Sequence, residues 1–295
     1  LFVYHKHGGS FLSEDKKRYL EEHARILSEK HPSYNKQVAH FFAIDPNKDI
    51  RKLVKYKLLK KSEREKVIIA FDHAIGGGAT AYLNNKEKEY LEDGYIFYVV
   101  RYNFVQDYYQ IFMHTGKDRF DFYVKTQEEL IQALQYFQAT ELWINELVTY
   151  PQLYKLLERI EAFRAQNNVE LKMLLHDYFA ICPTINLVNN YKKYCAIPEC
   201  TQDCKNCFKN VHPDYVRDYK SMEEWREKWG HFLKCCDSIL VFSKDSERLL
   251  GKAYGKLDNV VVVPHQIGYM PKLDKKYKTT STFNIGLLGI LSYHK

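Results

Sequence analysis

Three groups of residues in this chain have types and spacings suited to chemistry. The first lies in Lys66–Tyr82, KVIIAFDHAIGGGATAY, where a β-branched apolar run ends in Gly76, Gly77 and Gly78 before a helix-like segment. Such a loop brings backbone N–H groups and a helix N-terminus up to an anion, above all a phosphate. Glycine suits it because glycine reaches positive φ and has no Cβ to hold the anion away. The second group is His176-Asp177-Tyr178-Phe179, directly after the apolar run Leu171–Leu175. A histidine at a strand end can hydrogen-bond a sugar hydroxyl, act as a base or orient a phosphate. It can equally be satisfied by backbone alone. The third group is Cys195, Cys200, Cys204 and Cys207, four thiols in one short stretch. That density suits a tetrahedral structural zinc, and Cys204 and Cys207 have the common knuckle spacing. Four free thiols, or a metal-free loop with some cysteines packed inside, are the alternatives. Cys182, Cys235 and Cys236 read as core residues.

The glycine loop admits more than one ligand class. Gly76, Gly78 and Ala81 fit the G-x-G-x-x-A dinucleotide pattern. That reading requires an acidic residue at the end of the second strand to hold the ribose hydroxyls. This strand ends Val100-Arg101-Tyr102-Asn103 instead. Arg101 could meet a 2′-phosphate, so an NADP-dependent oxidoreductase is one alternative. A loop serving the phosphates or sugar of another ligand across a cleft is a second, and a tight turn with no ligand a third. A non-catalytic, zinc-stabilised interaction domain is a further alternative for the whole chain. A zinc module for nucleic acid lacks support, because only Lys205 and Lys209 lie near the cysteines and no basic–aromatic face surrounds them.

The elements that must position these groups follow a strand–helix alternation from Val67 onward. Strands are expected at Val67–Phe71, Tyr95–Tyr102, Leu142–Asn145, Leu171–Leu175, Ser238–Phe242 and Val260–Val263. Tyr108–Met113 and Phe120–Val124 read as a hairpin. Thr126 with Glu129, and Ser221 with Glu224, have the capping-box spacing that opens a helix. Further helices are expected at Pro151–Gln166 and Lys244–Tyr254, and Asp177–Lys220 reads as a long irregular stretch. The fold class is therefore α/β, with a doubly wound, mostly parallel Rossmann-like sheet. The first sixty-odd residues read instead as a helical appendix: a helix from Ser13 to about Lys30, then one started by Asp45-Pro46 and running to about Arg64. The second carries Arg51, Lys52, Lys55, Lys57, Lys60 and Lys61. It suits either a solvated face or peripheral contact with an anionic membrane.

Composition bounds the partners without choosing one. The chain has 295 residues, 45% hydrophobic and 27% charged, with a formal net charge of +7 that favours anionic partners. No apolar run approaches the roughly 20 residues that span a bilayer. Seven cysteines, an odd number, argue for a reducing compartment. Cytoplasmic localisation is the expectation, with the inner face of the plasma membrane as an option. The strand at Phe283–Leu288, after a Lys/Thr/Ser-rich linker, is not followed by a helix, so the chain reads as a fragment cut at both ends.

Taken together, the segments IAFDHAIGGGATAY, INELVTYP (Ile144–Pro151) and LLHDYFAICPTINL (Leu174–Leu187) resemble bacterial glycosyltransferases of the GT-B fold, group 1 (family 4) type. The cysteine run Tyr194–Cys207, VFSKDSERLL (Val241–Leu250), VVVVPH (Val260–His265) and FNIGLLGILSYHK (Phe283–Lys295) extend the likeness. Such enzymes occur in polysaccharide and O-antigen gene clusters. The resemblance implies an acceptor-side Rossmann-like domain over 65–268, then a linker and the first strand of a truncated donor-binding domain over 269–295. It implies a nucleotide-sugar donor and a glycan or lipid-linked acceptor. His176 would lie near the transferred sugar. Gly77, Gly78, Thr80, Asp177 and Tyr178 would lie near the donor phosphates or the acceptor. It implies no cofactor for chemistry, so zinc at the cysteines would be structural, and a fragment inactive by itself. VYHKHGGSF near the start resembles the tail of a GT-A, family 2 type transferase over 1–64, in which His5 or His7 would approach a metal–nucleotide site.

Overall fold

The computed structural model describes residues 13–48, 51, 54, 66–115, 119–208 and 219–265. The chain divides into two compact units, Leu1–Leu59 and Lys60–Lys295. Within the first, α1 spans Ser13–Lys30 and α2 spans Tyr34–Ile44. The second of these helices is not evident from the sequence, because its apolar residues Phe41, Phe42 and Ile44 stay exposed and mark no buried stripe. Asp45 does not act as an N-cap. It closes α2 in the left-handed conformation (φ 40°), its N–H bonded to the Phe41 carbonyl at 2.8 Å. Most of the expected basic helix at 46–64, together with His5, His7 and the expected strand at 283–288, lies outside the described residues.

The second unit is α/β. Its eight-stranded sheet is built from β1 (Val67–His73), β2 (Ile96–Asn103), β3 (Tyr108–His114), β4 (Arg119–Val124), β5 (Glu141–Ile144), β6 (Glu170–Leu175), β7 (Ser238–Val241) and β8 (Val260–Val262). The spatial order is β4-β3-β2-β1-β5-β6-β7-β8. The pairs among β2, β1, β5, β6, β7 and β8 are parallel, and the β3–β4 hairpin joins antiparallel at one edge. All seven residues of β1 are buried, the signature of a central strand covered on both faces.

Five helices connect the strands: α3 (Gly78–Glu92), α4 (Gln127–Gln135), α5 (Leu153–Asn167), α6 (Met222–Cys235) and α7 (Lys244–Tyr254). Their starts follow local chemistry. The Thr126, Ser221 and Ser243 hydroxyls accept from the N–H of Glu129, Glu224 and Ser246, at 3.1, 3.2 and 3.0 Å. Leu83 of α3 packs with Ile68, Ala70, Phe97, Val99, Trp143 and Leu174. Tyr98, which points the other way from Phe97, stacks on Phe137 just past α4 at 4.0 Å. Strand alternation thus sends successive β2 side chains into different packing groups.

Between β6 and α6 the described residues, 176–208 and 219–221, hold one isolated bridge (Val188–Tyr194) and two helical turns, Thr201–Cys204 and Lys205–Phe208. No helix among the described residues is long and apolar enough to cross a membrane.

Candidate functional site

The order of the sheet decides where side chains converge. From β1 the chain proceeds to β2 on one side and reaches β5 on the other, so the loops leaving β1 and β5 diverge and open a crevice at their carboxyl ends. The residues at those ends are Asp72 and His73, the last two of β1, Asn145 and Glu146 after β5, His176 and Asp177 after β6, and Phe242 after β7.

Asp72 is the centre of this group and is fully buried. Its carboxylate accepts from Arg101 Nε at 3.0 Å and from a terminal guanidinium nitrogen at 2.9 Å. It also accepts from Thr80 Oγ1 at 3.1 Å and Asn145 Nδ2 at 2.8 Å. Asn145 Nδ2 further donates to the Ala79 carbonyl at 3.2 Å. With the amide nitrogen so committed, Asn145 Oδ1 is an acceptor, and the His176 Nε2 that meets it at 2.9 Å must carry the proton. His176 is thereby the Nε2–H tautomer, and its Nδ1 has no hydrogen-bond partner among the described residues. Burial, with His265 and His73 nearby, pushes its pKa down to about 3, so the ring is neutral at ordinary pH. Aromatic packing supplies the burial. His176 stacks on Phe242 (4.5 Å) and Phe242 on His265 (4.2 Å), with the edge of Tyr82 against all three.

Behind this relay stands a carboxyl pair. Glu146 is buried and Asp177 partly so, and the two share a hydrogen bond. Burial first, then the Asp177 charge, holds Glu146 well above the usual carboxylate range, and burial raises Asp177 to about 6. Asp177 Oδ1 also accepts from Phe179 N at 2.8 Å, and Glu146 Oε1 from Leu147 N at 3.2 Å. The pair therefore holds a shared proton at pH values where two free carboxyls would both be ionised. The loop that carries Glu146 is strained: Thr149, β-branched, has φ 78°, and Gln152 has φ 48°.

The glycine loop forms the open lip. Gly76 (φ 84°) and Gly77 (φ 105°, ψ −160°) take conformations that side-chain-bearing residues avoid, and Gly77 is the N-cap of α3 with no side-chain cap. A Cβ added at Gly76, Gly77 or Gly78 would meet nothing within 4 Å, so the N-terminus of α3 faces open space. On the hairpin side of α3, a separate cavity of about 420 Å³ is lined in part by Arg101, Glu87, His114 and Arg119. There Arg119 Nε donates to His114 Nε2 at 2.7 Å and His114 Nδ1 faces Glu87. That geometry needs a neutral ring, in keeping with a His114 pKa lowered to about 4 by burial and Arg119.

These placements revise several expectations. His176, the glycines and Thr80 do gather at one crevice, but Thr80 and Arg101 are turned onto Asp72 rather than left for a ligand. Arg101, which a dinucleotide 2′-phosphate would need, makes two bonds to a fully buried carboxylate. Asp177 is paired with Glu146, and Tyr178 bonds Ile185, Ile181 and Cys182 through its backbone. Asp72, Asn145 and Glu146 escaped notice because their partners are distant in the chain. The one available signal was a lone Asp inside the apolar run of β1.

The cysteines divide differently from the expected quartet. Cys200 is exposed, whereas Cys182, Cys195, Cys204 and Cys207 line one cavity of about 230 Å³. Cys182 and Cys235 are only partly buried, and Cys236 alone of the three expected core cysteines is fully inside. Burial, and then the neighbouring Cys182 thiol, pushes Cys204 up to about 11. Among the described residues, the one group of potential metal donors whose atoms all lie within 4.8 Å is Glu161, His231 and Cys235, on α5 and α6.

No protein-family model matches this chain, and a search of curated proteins gives no significant match.

Proposed function

We propose that this chain is the acceptor-side, doubly wound Rossmann-like domain of a GT-B type glycosyltransferase, acting with a nucleotide-sugar donor and a glycan or lipid-linked acceptor. The observation that carries the reading is His176, neutral, fixed as one tautomer by the Asp72–Asn145 relay, and set at the crevice that the glycine loop borders. In this reading the Gly77 and Gly78 N–H groups and the α3 N-terminus stabilise the charge of the leaving diphosphate. His176 Nδ1 accepts a hydrogen bond from a hydroxyl of the transferred sugar. Being neutral, it adds no positive charge beside a developing oxocarbenium ion. The Glu146–Asp177 pair braces the two loops that carry Asn145 and His176. The oxidoreductase reading is disfavoured because Arg101 is bound to Asp72.

Saturation-transfer NMR on the chain with a panel of nucleotide sugars, oligosaccharides and NADPH tests this. Transfer to sugar protons is expected, with binding weakened about tenfold or more in His176→Ala, the loss of one buried hydrogen bond. A signal from NADPH and from no sugar-bearing ligand would overturn the proposal.

A further inference from the structure

The irregular stretch between β6 and α6 has to be held by something other than ladder hydrogen bonds. Over residues 185–197 five non-glycine residues adopt positive φ: Ile185 (69°), Leu187 (58°), Lys192 (60°), Ala196 (54°) and Ile197 (53°). Two of them are β-branched, for which this region is a true outlier. The segment nevertheless buries Leu187 and Ile197 almost completely. Small irregular regions of this kind are commonly stapled by disulfides or metal. All seven cysteines are free thiols, so no disulfide supplies the staple.

We propose that Cys182, Cys195, Cys204 and Cys207 form a structural zinc site, with Cys200 outside it. Each thiol reaches the same cavity from a separate part of the stretch. Cys182 follows the turn closed by its N–H to the Tyr178 carbonyl (2.8 Å), and Cys195 is anchored by its N–H to the Leu187 carbonyl (2.9 Å). Cys204 ends one helical turn and Cys207 lies in the next. The rest of the wall mixes apolar Pro183, Val188, Pro198 and Met222 with polar Thr184 and Asn190, whose side-chain oxygens lie 3.2 Å from Cys182 Sγ and 3.6 Å from Cys207 Sγ and so orient those thiols. Asp203 also lines the cavity. An all-sulfur set selects zinc over the hard divalent cations.

The four sulfurs stand more widely than the spacing of about 3.8 Å that bonds of about 2.3 Å impose on a tetrahedron, so binding contracts the cavity. Binding converts four thiols to thiolates and releases four protons to solvent, leaving a site of net charge −2. Two cations stand against the same stretch. Arg226 Nε donates to the Ile181 carbonyl at 2.7 Å and Lys252 Nζ to the Ala196 carbonyl at 2.6 Å. The surface triad Glu161–His231–Cys235 is the rival location. His231 is largely exposed there, and hydrogen bonds alone explain the cluster.

Metal content and thiol accessibility of the purified chain decide the matter. About one zinc per chain is expected, retained in Cys200→Ser and Cys235→Ser and lost in Cys182→Ser. On the wild-type chain, which avoids any folding defect of a variant, iodoacetamide followed by peptide mass spectrometry should label Cys200 and Cys235. Cys182, Cys195, Cys204 and Cys207 should be protected about tenfold or more until a chelator is added. Cobalt substitution should give the thiolate charge-transfer band of a tetrahedral sulfur site. A metal-free chain, protection that includes Cys200 but omits Cys182, or zinc lost in Cys235→Ser would each overturn the assignment.

Discussion

The proton shared by Glu146 and Asp177 ties stability to pH in the sense opposite to His176. Both carboxyls have folded pKa values above their unfolded ones, so the unfolded chain releases protons first as pH rises. Their contribution is full below about pH 4 and is lost progressively as pH rises through about 6 and beyond. His176 has its folded value lowered to about 3, so its contribution is present above about pH 6.5 and is lost as pH falls toward 3. Glu146→Gln keeps a donor to Asp177 and removes one of the two protons from this linkage. The variant is expected to gain on the wild type as pH rises above the ordinary glutamate range, by up to about 1.4 kcal/mol per pH unit. Urea unfolding at a series of pH values measures the gain. Parallel curves for the two proteins would mean that Glu146 is ionised in the fold.

At the scale of the element, β1, its loop and α3 separate backbone necessity from ligand space. Gly77 sits in a region that only glycine occupies without strain, so Gly77→Ala should cost about 1–3 kcal/mol of stability. Gly78 is already helical and has no neighbour within 4 Å of a new Cβ, so Gly78→Ala should stabilise by up to about 1 kcal/mol. If the loop meets a diphosphate, Gly78→Ala should still weaken nucleotide-sugar binding, a split that a purely structural turn would not give. Thermal unfolding and ligand titration of the two variants read both halves. The caps at Thr126 and Ser221, the strand spans and the hairpin were legible in the sequence because each depends on neighbours within a few residues. The Asp72 hub was not, since its partners Arg101 and Asn145 lie far along the chain and only the sheet order brings them together. That Cys182 lines one cavity with Cys195, Cys204 and Cys207 was hidden for a related reason, since an irregular fold brings them together with no period to follow.

For the whole molecule, the crevice has walls of paired strand and lips of irregular chain. The walls are β1, β5 and β6, central parallel strands paired on both sides. The lips are the segments that leave them, at 74–78, 145–152 and 176–186, joined by 242–243 after β7. Backbone amides in β1 and β2 should be among the slowest to exchange, and those of β8, a partly exposed edge strand, faster. A nucleotide sugar spanning the crevice from β1 to β6 would touch lips about 100 residues apart in sequence. It should therefore slow exchange at 74–78, 145–150 and 176–179 together while leaving the strand interiors unchanged. A dinucleotide held only by the β1 and β2 ends would protect 74–78 and 101–103 alone. Hydrogen exchange with and without ligand separates these footprints. The His176 segment decides between them, because it takes part only if the ligand crosses from β1 to β6 over the point where the sheet changes direction.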